Sequence, residues 1–216
     1  MNKTVGVFDS GVGGLSFVNA IKKALPDVDV IYADDKDNIP YGNKTKQQLQ
    51  ELVTPIINDL ASKCDLIVIA CNTVSTLLIK ELRESVKVPL IAVEPMVKPA
   101  SQLSKTGVIA VCATPTTLAS PRYRWLKDNY AKDITVLEPD CSNWSTLIEH
   151  NHKNELEIEL TVDNVCDAGA DVIVFGCTHY HWIEKEIREA AGSRAKILQP
   201  EKAVILQVEH VLKQLA

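Results

Sequence analysis

The stretch that most restricts the fold occurs twice. Asp65-Leu66-Ile67-Val68-Ile69-Ala70-Cys71-Asn72-Thr73 is matched by Asp171-Val172-Ile173-Val174-Phe175-Gly176-Cys177-Thr178-His179. Each copy reads aspartate, four apolar residues, a small residue, a cysteine and then hydrogen-bonding side chains, at the same spacing. Bulky apolar residues in an unbroken run between polar ones suit a strand covered on both faces, as in a parallel sheet. Apolar residues at helical spacing follow each cysteine: Leu77, Leu78 and Leu82 in the first copy, Trp182, Ile183 and Ile187 in the second. Each cysteine is therefore expected at the carboxyl end of a strand, at the turn into a helix. Open α/β sheets bind ligands there, and a helix N-terminus favours a thiolate. Two thiols so placed suit chemistry that needs two acid/base groups.

The rest of the chain continues the alternation. Strands are expected at 4–8, 28–33, 66–70, 88–93, 107–112, 134–137, 172–175 and 195–198. Helices are expected near 15–25, 46–61, 74–84, 121–129, 154–168 and 200–215, with a loop from Glu138 to Thr146. Gly6-Val7 and Gly107-Val108 each open a strand–turn–helix, and Cys71 and Cys177 each close a later one. The expected architecture is α/β, with two pseudo-symmetric Rossmann-like lobes, parallel sheets and the active site between them. Residues 1–96 form the first lobe, joined by a C-terminal helix at 200–216, and residues 97–199 form the second.

Composition narrows the partners. A net charge of −5 and 5% aromatic residues over 216 residues leave no basic or base-stacking footprint, so no nucleic acid is expected. No apolar run approaches a membrane span, and Val5 to Phe8 is too short for a signal-peptide core. The expected setting is the cytoplasm, and the expected ligand is a small molecule. Six cysteines without a C-x-x-C pair fit a reducing compartment.

In order and spacing, several motifs resemble the glutamate racemases of the aspartate/glutamate racemase superfamily. They are Phe8-Asp9-Ser10-Gly11-Val12-Gly13-Gly14-Leu15, Asp35 with Pro40-Tyr41-Gly42, Ala70-Cys71-Asn72-Thr73, and Val93-Glu94-Pro95. Thr114 and Thr117 with Ser120 and Tyr123, Cys141 with Glu149, and Gly176-Cys177-Thr178-His179-Tyr180 complete the set. The resemblance implies a cofactor-independent, metal-free amino-acid racemase that interconverts L- and D-glutamate for peptidoglycan. Cys71 and Cys177 would serve opposite faces of the substrate Cα. Asp9 would assist the first thiol or hold the ammonium, and His179 and Glu149 would assist the second. Ser10, Pro40, Tyr41, Gly42, Asn72, Thr73, Thr114, Thr117 and Thr178 would cradle the substrate's carboxylate and ammonium groups. A homodimer is implied as well. The chain departs from the family pattern at Asp34, Lys36, Asn143-Trp144, His181 and Trp182, and looks shorter than most members.

Competing readings rest on the same residues. Gly11-Val12-Gly13-Gly14 suggests a dinucleotide loop, but Ser16 stands where a third glycine belongs and Asp9 would repel a pyrophosphate. Cys177, His179 and His181 are zinc-type ligands, but alternating residues do not share a helix face. Cys64, Cys112 and Cys166 read as core and Cys141 as structural. Asp65 and Asp171 read as strand-entry residues. Two functional alternatives stand beside glutamate: an aspartate or other acidic amino-acid racemase, and a non-catalytic ligand-binding homologue.

Overall fold

A run such as Leu66-Ile67-Val68-Ile69 has no polar face, so a strand made of it must be covered on both sides. That is how the chain folds in a computed structural model, which describes residues 2–215. The backbone separates into two compact units, one ending at Val93 and resuming at Pro200, the other spanning Glu94–Gln199.

The first unit holds β1 (Thr4–Phe8), β2 (Asp29–Ala33), β3 (Leu66–Ile69) and β4 (Leu90–Ala92), all parallel, in the order β2-β1-β3-β4. Its helices are α1 (Leu15–Ala24), α2 (Lys46–Ala61), α3 (Asn72–Ser85) and, from the end of the chain, α10 (Glu201–Gln214). Successive strand side chains point to opposite faces. Val5, Val7, Leu66 and Val68 pack with Phe17 and Ile21 of α1 and with Val204 and Val208 of α10. Phe8, Ile67 and Ile69 pack on the other face with Leu49, Val53 and Ile57 of α2 and with Val74 and Leu78 of α3.

The second unit repeats the plan. β5 (Val108–Ala113), β6 (Thr135–Leu137), β7 (Val172–Gly176) and β8 (Lys196–Leu198) lie parallel in the order β6-β5-β7-β8. Its helices are α4 (Val97–Leu103), α5 (Pro115–Leu118), α6 (Pro121–Tyr130), α7 (Trp144–Glu149), α8 (Ile158–Asp167) and α9 (Glu184–Ala191). Ile109, Val111, Val172 and Val174 face Val97 of α4 and Tyr123 of α6. Ala110, Cys112, Ile173 and Phe175 face Trp144 and Ile148 of α7, Val162 of α8 and Ile187 of α9.

In each sheet the two central strands hand the chain to opposite faces. β1 leads to α1 and β3 to α3; β5 leads to α5 and α6, and β7 to a 3₁₀ turn and α9. The carboxyl ends of β1/β3 and of β5/β7 are therefore switch points, where open α/β sheets form ligand crevices. At the opposite ends the two repeated aspartates act as clips. Asp65 accepts from the Thr4 amide at 2.8 Å and pairs with Lys3 at 3.2 Å. Asp171 accepts from the Ser104 hydroxyl at 2.5 Å and from the Lys105 and Thr106 amides at 2.6 and 3.2 Å. Each ties the entry of a central strand to the segment leading into its neighbour.

The structure also differs from the sequence pattern. α3 starts at Asn72, not Val74, so Cys71 is its N-cap residue. α8 is shorter than expected, because Lys153–Glu155 form a separate 3₁₀ turn. α4 and α7 are additional helices, the latter partly in the segment expected to be loop. No helix among the described residues is long and apolar enough to cross a membrane.

Candidate active site

In the first unit β1 delivers Asp9 and Ser10 beside the end of β3. Asp9 is fully buried. Its Oδ2 accepts from the Gly14 amide at 2.9 Å and the Gly11 amide at 3.3 Å. The glycine-rich segment thus closes as a 3₁₀ turn, Val12–Gly14, that leads straight into α1 and places the carboxylate at the positive end of the helix. A side chain at Gly14 would lie 2.5 Å from Asp9 Cβ, so glycine is needed where the turn folds over the carboxylate. The Tyr32 hydroxyl donates to the Gly11 carbonyl and braces the turn from β2. Glycine amides that would face a phosphate in a dinucleotide loop here face Asp9.

Cys71 is 5% exposed and its thiol approaches the Ser10 hydroxyl at 3.7 Å. Asn72 and Thr73, both buried, form the first turn of α3. Asn72 Oδ1 is buried without a hydrogen-bond partner. The loop after β2 is pinned by Asp35, which accepts from the Asn38 amide side chain at 2.8 Å and from the Tyr41 hydroxyl at 2.5 Å. Tyr41 is buried in the same cluster as Phe8 and Cys71, with Pro40 and Gly42 on either side. Burial, its hydrogen bond to Asp35 and the nearby Cys71 and Asp9 push its phenol far above the usual tyrosine range, so it stays a donor.

The second unit has an equivalent arrangement with different chemistry. Ala113 pairs with Gly176, which brings Thr114 level with Cys177. Thr114 caps α5, accepting from the Thr117 amide at 3.3 Å and donating to the Thr117 hydroxyl at 3.0 Å. Cys177 is 7% exposed, and a 3₁₀ turn, Thr178–Ile183, follows it before α9 begins. This turn sets the Cys177 sulfur 3.6 Å from His179 Nδ1. His179 Nε2 lies 2.6 Å from Glu149 Oε2 at the end of α7. With Glu149 ionised and the imidazole neutral, Nε2 carries the proton and the Nδ1 lone pair faces the thiol. Thiol, imidazole and carboxylate thus form a proton-transfer relay, the base oriented by a third group.

The units therefore assemble two sets among the expected residues: Asp9, Ser10, Tyr41, Cys71, Asn72 and Thr73 in one, Thr114, Thr117, Glu149, Cys177, Thr178 and His179 in the other. Cys64, Cys112 and Cys141 are buried in the cores and Cys166 is half-buried; all six cysteines are free thiols. A hydrogen bond with Cys112, together with burial, pushes the Cys141 thiol well above the usual range. Among the described residues no group of three or more His, Cys, Asp or Glu side chains is arranged to hold a metal ion. The sequence reading missed the role of Tyr32, because nothing local signals a hydroxyl that reaches another strand's turn. It also missed the helical setting of Glu149.

Each unit thus sets a thiol at the switch point of its sheet, beside its own hydrogen-bonding and acid/base neighbours, as suits an enzyme that moves protons. Comparison with known proteins gives the family. The model of the Asp/Glu/Hydantoin racemase family matches residues 5–208, and the chain belongs to that family. It is 38% identical to a glutamate racemase of Herpetosiphon aurantiacus over 98% of this chain and 85% of that protein. It is 35% identical to a glutamate racemase of Pseudomonas aeruginosa over 96% of this chain and 81% of that one. The solved Escherichia coli glutamate racemase, in complex with L-glutamate and the activator UDP-MurNAc-Ala, superposes with a TM-score of 0.88 at 28% identity. That match covers 99% of this chain and 83% of that one.

Proposed function

We propose that this chain interconverts L- and D-glutamate without a cofactor, using Cys71 and Cys177 as the two proton-transfer groups. The observation that carries the reading is the repetition of one placement within each unit. Two thiols occupy equivalent strand ends, each beside a different set of polar groups. Curated glutamate racemases that align over most of both chains support the choice of substrate.

The chemistry follows from the residues. One cysteine, as thiolate, takes the Cα proton and becomes a thiol. The other, as thiol, gives its proton to the opposite face and becomes a thiolate. The two exchange roles in the reverse direction. His179, oriented by Glu149, moves a proton to and from Cys177. The Cys71 thiol donates to the Ser10 hydroxyl, and Asp9 assists the thiol or holds the substrate ammonium. The carbanion formed at Cα is stabilised by hydrogen bonds to the substrate carboxylate. Thr73, Thr114, Thr117 and Thr178 supply hydroxyl and amide donors for it, Thr73 from the first turn of α3. Asn72 Oδ1, a buried acceptor, suits the substrate ammonium. On this reading residues 1–96 with 200–216 and residues 97–199 act as the two catalytic lobes. The enzyme works in the cytoplasm as a homodimer and supplies D-glutamate for peptidoglycan.

The test is Cα deuterium uptake in heavy water with L-glutamate and L-aspartate in parallel, followed by NMR and optical rotation. Uptake with loss of optical activity, faster for glutamate, is the expected result. Faster turnover of aspartate would move the substrate. Ligand binding without exchange would mean a binding protein. Undiminished racemisation by Cys71→Ala or Cys177→Ala would refute the two-thiol mechanism.

A further inference from the structure

We infer that Tyr180 is a positioning residue for the second thiol: braced against Trp144, it fixes the Glu149–His179 hydrogen bond and so aims the imidazole at Cys177. The inference rests on the racemase reading of Cys177 and adds a residue to it.

The two halves of the relay come from segments far apart in sequence. His179 lies in the 3₁₀ turn after β7, and Glu149 is the last residue of α7. α7 has six residues, too few to hold a helix by its own hydrogen bonds. Its position, and with it that of the Glu149 carboxylate, must come from what it packs against. Tyr180 joins its start to the turn. The Tyr180 hydroxyl donates to the Cys141 carbonyl at 3.2 Å, and the same carbonyl accepts from the Trp144 amide, also at 3.2 Å, at the start of α7. The Tyr180 ring meets the Trp144 ring edge-on, with centroids 5.4 Å apart and planes at 71°. On its other side it meets Phe175 of β7 edge-on at 6.3 Å and 89°. Tyr180 is completely buried.

The contacts close a circuit. β7 carries Phe175 and leads into Cys177; the following turn carries His179 and Tyr180; Tyr180 holds the start of α7; and the end of α7 returns Glu149 to His179. A hydrogen bond as short as that of Glu149 to His179, 2.6 Å, tolerates little drift of either partner. Burial, with Cys177 and Cys141 nearby, holds the Tyr180 phenol well above its ordinary range, so the anchor stays a donor wherever the enzyme works.

The experiment is a double-mutant cycle on racemisation, with circular dichroism confirming that each variant is folded. Tyr180→Phe removes the anchoring hydroxyl and keeps the ring. It is expected to lower kcat by roughly ten-fold with KM little changed, within the hundred-fold that a 1 Å misplacement can cost. Glu149→Gln breaks the pair directly. The decisive species is the double variant, which should be no slower than Glu149→Gln alone and should share its shifted pH–rate profile. Trp144→Leu, which removes the ring edge, is the second arm and should be silent in the same background. Losses that multiply in the double variants, or a Tyr180→Phe enzyme that loses only thermal stability, would overturn the inference. A wild-type protein that does not racemise would instead overturn the functional reading beneath it.

Discussion

A Gly14→Ala substitution should lower both stability and racemisation, although backbone reasoning alone gives the opposite sign for stability. Gly14 has φ −68° and ψ −14°, a conformation open to any residue. Alanine at such a position ordinarily gains about 0.5–1 kcal/mol over glycine. Space reverses this. The added Cβ would lie 2.5 Å from Asp9 Cβ and 3.0 Å from the Tyr32 ring. Restoring an ordinary carbon–carbon contact of about 3.5–4.0 Å requires a movement of ~1 Å. Asp9 is fully buried and Tyr32 is hydrogen-bonded to the turn, so neither can swing into solvent. Overpacking of this kind costs about 1–3 kcal/mol. After the backbone gain, a net loss of roughly 0–2.5 kcal/mol remains, with a midpoint of about 1 kcal/mol, or a melting temperature lower by about 2–4 °C at that midpoint. The amide that holds Asp9 Oδ2 moves with the turn, and a displacement of that size beside the first thiol can cost on the order of 100-fold in rate. Thermal melts and kcat/KM for L-glutamate by circular dichroism measure both. An unchanged or raised Tm with wild-type turnover would show that the turn does not hold Asp9 as described.

Asp171→Asn removes a carboxylate that accepts from Ser104, Lys105 and Thr106 and should cost on the order of 1–3 kcal/mol at neutral pH. Despite partial desolvation, these bonds hold the Asp171 carboxyl below its ordinary value, so its stabilisation is full above the unfolded value of about 3.9 and is lost as pH falls through the folded one. Urea melts should therefore show the gap between wild type and variant narrowing below about pH 4; a gap independent of pH would contradict this. Ser120→Ala removes the cap of α6, whose Oγ accepts from the Tyr123 amide at 3.1 Å, and should cost about 1 kcal/mol with turnover intact, read by thermal melts. Tyr41→Phe deletes the donor to Asp35 and loosens the loop before α2. Steady-state kinetics should show KM rising more than kcat falls, and an unchanged KM would remove Tyr41 from the binding loop.

Much of the framework was readable before any coordinates. The strand runs at Leu66–Ile69 and Val172–Gly176 were legible because a strand covered on both faces cannot contain polar residues. The cysteines after them were placed at strand ends by the same argument. Cys71 fits the expectation of a helix N-terminus closely. Cys177 does not, since six residues of 3₁₀ turn separate it from α9. α7 was missed because six residues carry too little periodicity, and its helix is held by Tyr180 and the β7 face. The glycine-rich turn was legible as a turn, but its purpose, folding backbone amides over Asp9, was not.

The sequence by itself determined the α/β class, the repeat of two like halves, the two thiols and the family resemblance. Those properties depend on local pattern: apolar runs, spacing and turn residues that act within a few positions of one another. Only the tertiary structure decided what stands next to each thiol. Ser10 reaches Cys71 from the neighbouring strand, and Glu149 reaches His179 across a gap of 30 residues. Such contacts depend on sheet order and on how a short helix is packed, which leave no periodic trace in the chain.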